Sequence, residues 1–543
     1  MLTFVELIEN SIKKHWELNA LSDFQEGTIT YHETAIEIKK IHEAFKNLGV
    51  KKGDKIAQIG RNNSKWAITF LSTISYGTVS VPILQDFTPS DIVNTVNHSD
   101  SIFLFVTDSI FKELDVSKFP NIRGFISLDS YTVLHAQSDD VVEIFNKTQK
   151  SQIELTPESF HLESIPHEEL ATISYTSGTS GLSKGVMLSH GNFAANLEFG
   201  IDIIDLNPGD TIVSFLPLAH AYGLSFELLV EFSMGCHITF LGRIPSPQII
   251  LQAFKEIKPR LVVLVPLIIE KVYRNKVKPA ISSGLPKILL GIPILKKVVY
   301  KKVKAQLEEA FGGNFLQVII GGAAINKEVE SFLKKIGFRY AVGYGMTECA
   351  PLISFSSWDK AQKFSCGQPI PQCKVKIDSP DPERVEGEIM VKGSQVMLGY
   401  YKNQEATNET IDENGWLKTG DLGVINKEGY ITIKGRSKNM ILGASGQNIY
   451  PEEIEARINS LPYVMESLVI EKDGKLHALI FPDTEKVEQD GLNAEKVGVE
   501  FERQKKELNQ QMPNYMSIAK IEVQNQEFIK TPKKSIKRYL YTN

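Results

Sequence analysis

The rhythm of this sequence constrains its fold more than any other feature. Up to about residue 170, helical patterns alternate with short apolar strands such as KIAQIG (Lys55 to Gly60), VSVPIL (Val79 to Leu84) and SIFLFVT (Ser101 to Thr107). Strands separated by helices pair in parallel, because only a long crossover returns the chain to the same end of a sheet. An α/β fold built on parallel sheets is therefore expected. The rhythm continues through IVSFLPL (Ile212 to Leu218), HITFLG (His237 to Gly242) and LQVIIGG (Leu316 to Gly322). At 543 residues the chain is too long for one core, so it should divide into subdomains. After about residue 365 the texture changes to KVKID, EGEIMVKG and GYITIKG, short alternating strands that predict a small β-rich subdomain. From Arg436 onward the pattern is a compact α+β unit, whose first helix, PEEIEARINSL, opens on Pro451 and two glutamates. The expected division is a large N-terminal domain over 1–437 and a small C-terminal domain over 438–543.

Composition removes several classes of function. The apolar fraction of 42% and charged fraction of 23% are those of an ordinary globular chain, and a net charge of −5 gives no drive toward nucleic acid. Four cysteines (Cys236, Cys349, Cys366, Cys373) lack both metal-ligand spacing and the density of a disulfide framework, which fits a reducing compartment. The N-terminus, MLTFVELIENSIKKHW, does not have the parts of a signal peptide. It predicts an amphipathic helix with Phe4, Leu7, Ile8 and Ile12 on one face. The apolar run LVVLVPLII (Leu261 to Ile269) falls short of the roughly 20 residues that span a bilayer, and reads as a buried strand running into a turn at Pro266. A cytoplasmic protein, at most peripheral to a membrane, is expected.

The strongest local signal is ISYTSGTSGLSKGVMLSHGN, from Ile173 to Asn192. A strand runs into a loop dense in Gly, Ser and Thr with one lysine, and a helix is expected to follow. Small residues let backbone N–H groups approach phosphate oxygens, hydroxyls donate further bonds, and Lys184 brings positive charge. The spacing is not that of a Walker A loop, and composition alone leaves a flexible surface loop equally open.

The string closely resembles the phosphate-binding loop of the adenylate-forming superfamily, which includes acyl-CoA synthetases, firefly luciferase and peptide-synthetase adenylation domains. Other signatures of that superfamily follow in order. GGAA (Gly321 to Ala324) resembles the segment lining the adenine, and YGMTE (Tyr344 to Glu348) the adenine-stacking and magnesium-binding motif. WLKTGDLG (Trp416 to Gly423) resembles the ribose-binding segment, and GRSKNMILGASGQNIYPEEIE (Gly435 to Glu455) the hinge and start of a mobile C-terminal domain. The resemblance covers nearly the whole chain. It implies three substrates, ATP, a carboxylic acid and coenzyme A, together with Mg2+. The phosphate contacts would come from Thr176, Ser177, Gly178, Thr179, Ser180, Gly181 and Lys184. Gly322, Ala323, Ala324, Tyr344, Gly345, Met346 and Thr347 would surround the nucleotide. Thr176 and Glu348 would hold Mg2+, whose preference for hard oxygen ligands suits them. Asp421 would accept from the ribose hydroxyls, with Arg436 paired to ribose or phosphate. Lys438 matches the hinge residue, and Gly446 and Gln447 would lie near the pantetheine path.

The tail departs from that pattern. The superfamily's adenylation lysine stands immediately before an apolar-x-Arg triplet, which here is Ile536-Lys537-Arg538, so Ser535 occupies its place. Lys534, with Lys533 beside it, is the substitute expected to reach the α-phosphate on its long stem. The alternative is a protein that binds nucleotide or acyl group without catalysis. On the acyl side, LPLAHAYGL (Leu216 to Leu224) resembles the segment that places a histidine by the acyl pocket, which nominates His220. The stretch 271–304 holds Lys and Arg but no Asp or Glu, interleaved with apolar groups, and resembles a basic, apolar insertion of long-chain fatty acyl-CoA synthetases. It could rest on an anionic membrane, or pack as a helical hairpin with a solvated basic face. The expected activity is a long-chain fatty acid–CoA ligase, with another acid, or acyl carrier protein as acceptor, as rivals.

Overall fold

Polar caps set where the helices begin. In the computed structural model, which describes residues 2–176, 184–243, 245–282, 284–290, 292–442, 447–531 and 535–542, Thr3 and Glu6 form a reciprocal capping box on the helix Phe4–Lys14. That helix buries Phe4, Ile8 and Ile12 of the expected face together with Val5, while Leu7 is half-buried against the same core. Thr30 with Glu33 caps Tyr31–Asn47 in the same way, and Ser189 with Asn192 caps His190–Ile203.

The largest sheet has eight strands in the order Gly399–Tyr400, Lys184–Ser189, Leu170–Thr176, Val79–Ile83, Lys55–Ile59, Ser101–Val106, Gly124–Ser127, Val133–Ala136. Its five central strands are parallel; the antiparallel strands sit at the two edges. A second sheet aligns Thr211–Ser214, His237–Phe240 and Asn19–Asp23 in parallel, with Thr28–Thr30 antiparallel at the edge. A third is wholly parallel: Val262–Leu264, Val318–Ile320 and Tyr340–Val342. The β-rich unit is an antiparallel sheet of Cys373–Asp378, Gly387–Gly393, Leu417–Ile425 and Ile431–Arg436. Toward the C-terminus, the hairpin Val464–Lys472 and Lys475–Pro482 is joined by the parallel strand Ile518–Val523. Its own core gathers Ile454, Val469, Leu476, Phe501 and Leu508, apart from the core of the larger region. All four cysteines are buried and unpaired.

Two local expectations need correction. The loop after Thr176 returns as a strand, Lys184–Ser189, and the helix starts only at His190, because Val186 and Leu188 face the sheet core in alternation. Pro266 is the first residue of a helix, Pro266–Val272, not a turn; a proline there lacks only an N–H that the helix would leave unpaired. Within the ribose-type segment WLKTGDLG, Thr419, Gly420 and Asp421 lie inside the strand Leu417–Ile425. Among the described residues, no helix is long and apolar enough to cross a membrane.

Across the seam between the larger region and the C-terminal unit the contacts are polar. Asn326, which caps Lys327–Ile336, also donates to the Ala456 carbonyl at 2.7 Å and approaches Ser460 Oγ at 2.5 Å. Arg274 donates to the carbonyls of Asn459 and Val464, Lys327 pairs with Glu453 at 2.7 Å, and Tyr450 donates to Glu386 at 3.0 Å.

Candidate active site

Parallel strands leave a crevice at their carboxyl ends, where backbone groups and helix N-termini converge. GGAA follows directly on the strand Val318–Ile320, and the Tyr344 motif follows Tyr340–Val342 two residues on, so both open at that end of the all-parallel sheet. Gly322, Ala323 and Ala324 are exposed there. A Cβ on Gly321 would stand 2.8 Å from Cζ of Tyr222, and one on Gly345 would stand 2.1 Å from the Pro351 carbonyl oxygen. Both positions require glycine for close approach.

Two clusters form around this crevice. In the first, the Tyr344 hydroxyl donates to Asp421 Oδ2 at 2.7 Å, and Arg436 Nε meets Asp421 Oδ1 at 2.8 Å. Strand pairing makes this possible, since Asp421 and Arg436 are direct partners in the β-rich sheet. Asp421 is only 4% exposed. Burial pushes its carboxyl above the usual range, and the Arg436 guanidinium and the Tyr344 hydroxyl partly offset that push. Tyr344 is buried, with its hydroxyl committed to the carboxylate. The result is a carboxylate aimed by two partners before any ligand arrives.

The second cluster joins the phosphate-loop strand to Glu348. Thr176 and Lys184 face each other across the hairpin, and the Thr176 hydroxyl lies 3.4 Å from the Lys184 carbonyl oxygen. Lys184 Nζ lies 4.8 Å from the centroid of the Tyr400 ring, and the Tyr400 hydroxyl donates to Glu348 Oε1 at 2.9 Å. Glu348 sits in the short 3-10 helix Thr347–Cys349, beside half-buried Met346. Tyr400 is one residue that the sequence did not point to. Its signal was the pair Tyr400-Tyr401 after Gly399, where strand alternation sends one ring inward and the other toward Asp100.

On the acyl side, His220 stands half-buried at the start of the helix Ala221–Leu224. The loop before it is fixed by a second missed residue. Glu227, fully buried in a π-helical turn Ser225–Leu229, accepts on one oxygen from the Ser214 hydroxyl at 3.0 Å and from the N–H groups of Phe215 and Leu216 at 2.9 and 2.8 Å. Four residues on, in the helix Val230–Ser233, Glu231 is buried without a side-chain hydrogen-bond partner among the described residues, and its carboxyl is pushed up to about 8 by burial.

Lys438 is exposed in the 3-10 helix Ser437–Asn439, and Gln447 is exposed nearby. Ser177, Gly178, Thr179, Ser180, Gly181, Gly446, Lys533 and Lys534 lie outside the described residues. Next to the last two, Thr531 N–H donates to the Ser535 carbonyl at 2.8 Å and Lys537 N–H to that of Ile529 at 2.8 Å, while Lys530 pairs with Glu466 at 2.7 Å. Arg538 of the tail triplet is held by Glu455 and the Val469 carbonyl.

With this geometry in view, the model of the AMP-binding enzymes matches residues 8–401, and that of the AMP-binding enzyme C-terminal domain matches 438–543. The chain belongs to the AMP-binding enzyme family. This places it among the adenylate-forming, AMP-forming acid ligases of the acyl-CoA synthetase type, which bind ATP. Its relatives differ in the acid they are named for. A long-chain-fatty-acid–CoA ligase of Mycobacterium bovis is 28% identical over 500 residues, covering 85% of this chain and 78% of that one. A long-chain-fatty-acid–acyl-carrier-protein ligase of Arabidopsis thaliana is 26% identical, with 85% and 73% covered. A probable 4-coumarate–CoA ligase of Dictyostelium discoideum is 29% identical, with 81% and 77% covered. Among solved structures, an anthranilate CoA ligase bound to anthranoyl-AMP superposes with a TM-score of 0.79 at 18% identity, covering 99% of this chain and 96% of that one. The o-succinylbenzoate CoA synthetase of Bacillus subtilis with ATP and magnesium gives 0.74 at 22%, with 98% of each chain covered. At these identities the AMP-binding enzyme fold is what the solved structures share with this chain.

Proposed function

We propose that this AMP-binding enzyme is a long-chain fatty acid–CoA ligase. The observation that carries the reading is the pairing of two preset clusters, Tyr344–Asp421–Arg436 and Lys184–Tyr400–Glu348, around one crevice. In the first half-reaction a carboxylate oxygen attacks the α-phosphorus of ATP, the bond to the bridging oxygen breaks, and pyrophosphate leaves. In the second, a thiol sulfur attacks the acyl carbonyl, AMP leaves, and the thiol proton passes to solvent. Asp421 accepts from the ribose hydroxyls and Arg436 pairs with ribose or phosphate, while Gly322, Ala323, Ala324 and Tyr344 border the adenine. Thr176, Lys184 and the loop after Thr176 cradle the phosphates, and Lys534 comes to the α-phosphate. His220 faces the carboxylate. Lys438 is the hinge about which the domain 438–543 turns between the half-reactions, which brings Gly446 and Gln447 to the pantetheine arm. The oxygen donors of Glu348 and Thr176 suit Mg2+, which supplies charge neutralisation at the phosphates when bound.

Two features support a long acyl chain. Two relatives named above are ligases of long-chain fatty acids. The segment 271–304 exposes Ile288, Ile292, Leu295 and Val298, the first and last more than 60% exposed, among lysines that include Lys296, Lys297, Lys301 and Lys302. Apolar side chains in a basic field match the surface of an anionic bilayer, where such a substrate resides. Sedimentation with phosphatidylglycerol vesicles but not phosphatidylcholine vesicles is expected, and equal sedimentation with both would remove the electrostatic part of this contact. The function itself is tested by AMP release with acids from acetate to oleate, with coenzyme A or acyl carrier protein as acceptor. A maximum at long chains with coenzyme A supports the reading. A maximum with aryl or short acids, or with the carrier protein alone, replaces it, and silence with every acid points to a protein that only binds.

A further inference from the structure

The strand Gly399–Tyr400 is two residues long, yet it ties together the two parts of the site that handle phosphate charge. On one side it pairs with the phosphate-loop strand: Tyr400 is opposite Val186, and the N–H groups of Leu398 and Tyr401 donate to the carbonyls of Met187 and Gly185 at 2.9 and 2.8 Å. On the other side, Met397 N–H donates to the Glu348 carbonyl at 2.9 Å. Gly399 has φ +139°, and a Cβ there would come within 2.8 Å of the Thr407 side chain. The Tyr400 N–H is in turn bonded to Thr407 Oγ1 at 2.9 Å. The tyrosine backbone is therefore held from three directions, and its side chain is 7% exposed.

That side chain has two working parts. Its hydroxyl donates to Glu348 Oε1 at 2.9 Å, and its ring face lies under Lys184 Nζ at 4.8 Å. A hydrogen-bond donor on one carboxylate oxygen restricts rotation of the carboxyl plane and leaves the other oxygen to a cation. An aromatic face under an ammonium holds the lysine by its quadrupole without neutralising it, so the charge stays available to a phosphate. A tyrosine combines both functions; phenylalanine would supply only the second.

We propose that Tyr400 is a positioning residue that aims Glu348 at the phosphate-bound divalent cation and holds Lys184 ready for the phosphates. This rests on the reading of Glu348 as the cation-binding carboxylate given above. The two parts separate experimentally. The probe is Mn2+ binding, followed by electron paramagnetic resonance, in the presence of an ATP analogue with a methylene bridge between the α- and β-phosphorus. Tyr400→Phe keeps the ring and loses the hydroxyl. Its Mn2+ affinity should fall about tenfold while its affinity for the metal-free analogue stays within about twofold. Tyr400→Leu loses both parts and should weaken the metal-free analogue as well, by about threefold. Tyr401→Phe, one residue on, removes a hydroxyl bonded to Asp100 instead and should leave both affinities unchanged. Thermal melting of each variant separates a local effect from unfolding. If Tyr400→Phe binds Mn2+ as the wild type does, or loses metal and metal-free nucleotide equally, the positioning role is overturned. If Glu348→Gln retains wild-type Mn2+ affinity, the underlying reading of Glu348 falls, whatever Tyr400 does.

Discussion

The large region and the C-terminal unit are held by different forces. In the large region the two carboxylates of the candidate site are already paired: buried Asp421 has both Tyr344 and Arg436, and half-buried Glu348 has Tyr400. The C-terminal unit has its own small core and meets the large region through hydrogen bonds from half-buried Arg274 to the carbonyls of Asn459 and Val464 and through the ion pair of Lys327 with Glu453. Buried pairing resists rearrangement, because an orphaned polar group costs about 1–3 kcal/mol. Partly exposed hydrogen bonds and ion pairs can exchange their partners for water at small net cost, and relative motion is the default for such interfaces. On the proposed function, a stiff nucleotide site and a lysine delivered by the C-terminal unit would match these two kinds of contact.

The sharpest way to break this contrast is Lys534→Ala. Adenylation, followed by ATP–pyrophosphate exchange, should fall by about a hundredfold or more, while thioester formation from a presynthesised acyl adenylate stays within about twofold. Full exchange in the variant would transfer the role to Lys533. The next test probes the stiff side. Glu231 is buried and held protonated up to about pH 8, against 4.5 for an ordinary glutamate. A group whose pKa is raised on folding stabilises most below its unfolded value and loses that contribution as pH rises through the folded value. Wild type should therefore lose stability between pH 5 and pH 8.5, whereas Glu231→Gln, an uncharged isostere, should lose less. A difference on the order of 2 kcal/mol in denaturant titrations is expected, and parallel pH curves would show that Glu231 is ionised throughout.

On the seam, Arg274→Ala removes two hydrogen bonds to backbone carbonyls of the C-terminal unit. Limited proteolysis between 438 and 447 should accelerate roughly fivefold, and an unchanged rate would mean that the seam is held elsewhere. The smallest effect concerns Arg436, whose side chain is 55% exposed and so screened by solvent. Removing its charge as Arg436→Gln lets the Asp421 pKa rise further, since Arg436 is the main influence lowering it. The acid limb of the activity profile should move upward by about half a pH unit; a shift downward would show that another carboxylate sets that limb.

The sequence made legible the groups that repeat as strings. The alternation of strand and helix gave the parallel sheets, and the glycines of GGAA and YGMTE marked places where a Cβ has no room. Tyr400, Glu227 and Arg274 were not legible, because each acts across a fold contact far from its own neighbours in the chain. Glu227 did leave a trace: it and Glu231 are two acids in the otherwise apolar run SFELLVEF, where burial needs a reason. The strand Lys184–Ser189 was not legible, because the loop dense in Gly, Ser and Thr is expected to lead to a helix; only pairing with Leu170–Thr176 and Gly399–Tyr400 reveals the strand between them.

The burial of the four cysteines has a chemical consequence. An acyl adenylate is a mixed anhydride and acylates whichever thiolate it meets first. Cys349 follows Glu348 directly in the chain, yet it has no exposed surface, and burial holds its thiol far above the usual range. Cys366 and Cys373 are likewise pushed up to about 12. Since nucleophilicity belongs to the ionised sulfur, these residues present no acceptor of their own to an activated acyl group formed at this site. Acylation of the chain's own cysteines is thereby disfavoured relative to that of an incoming thiol.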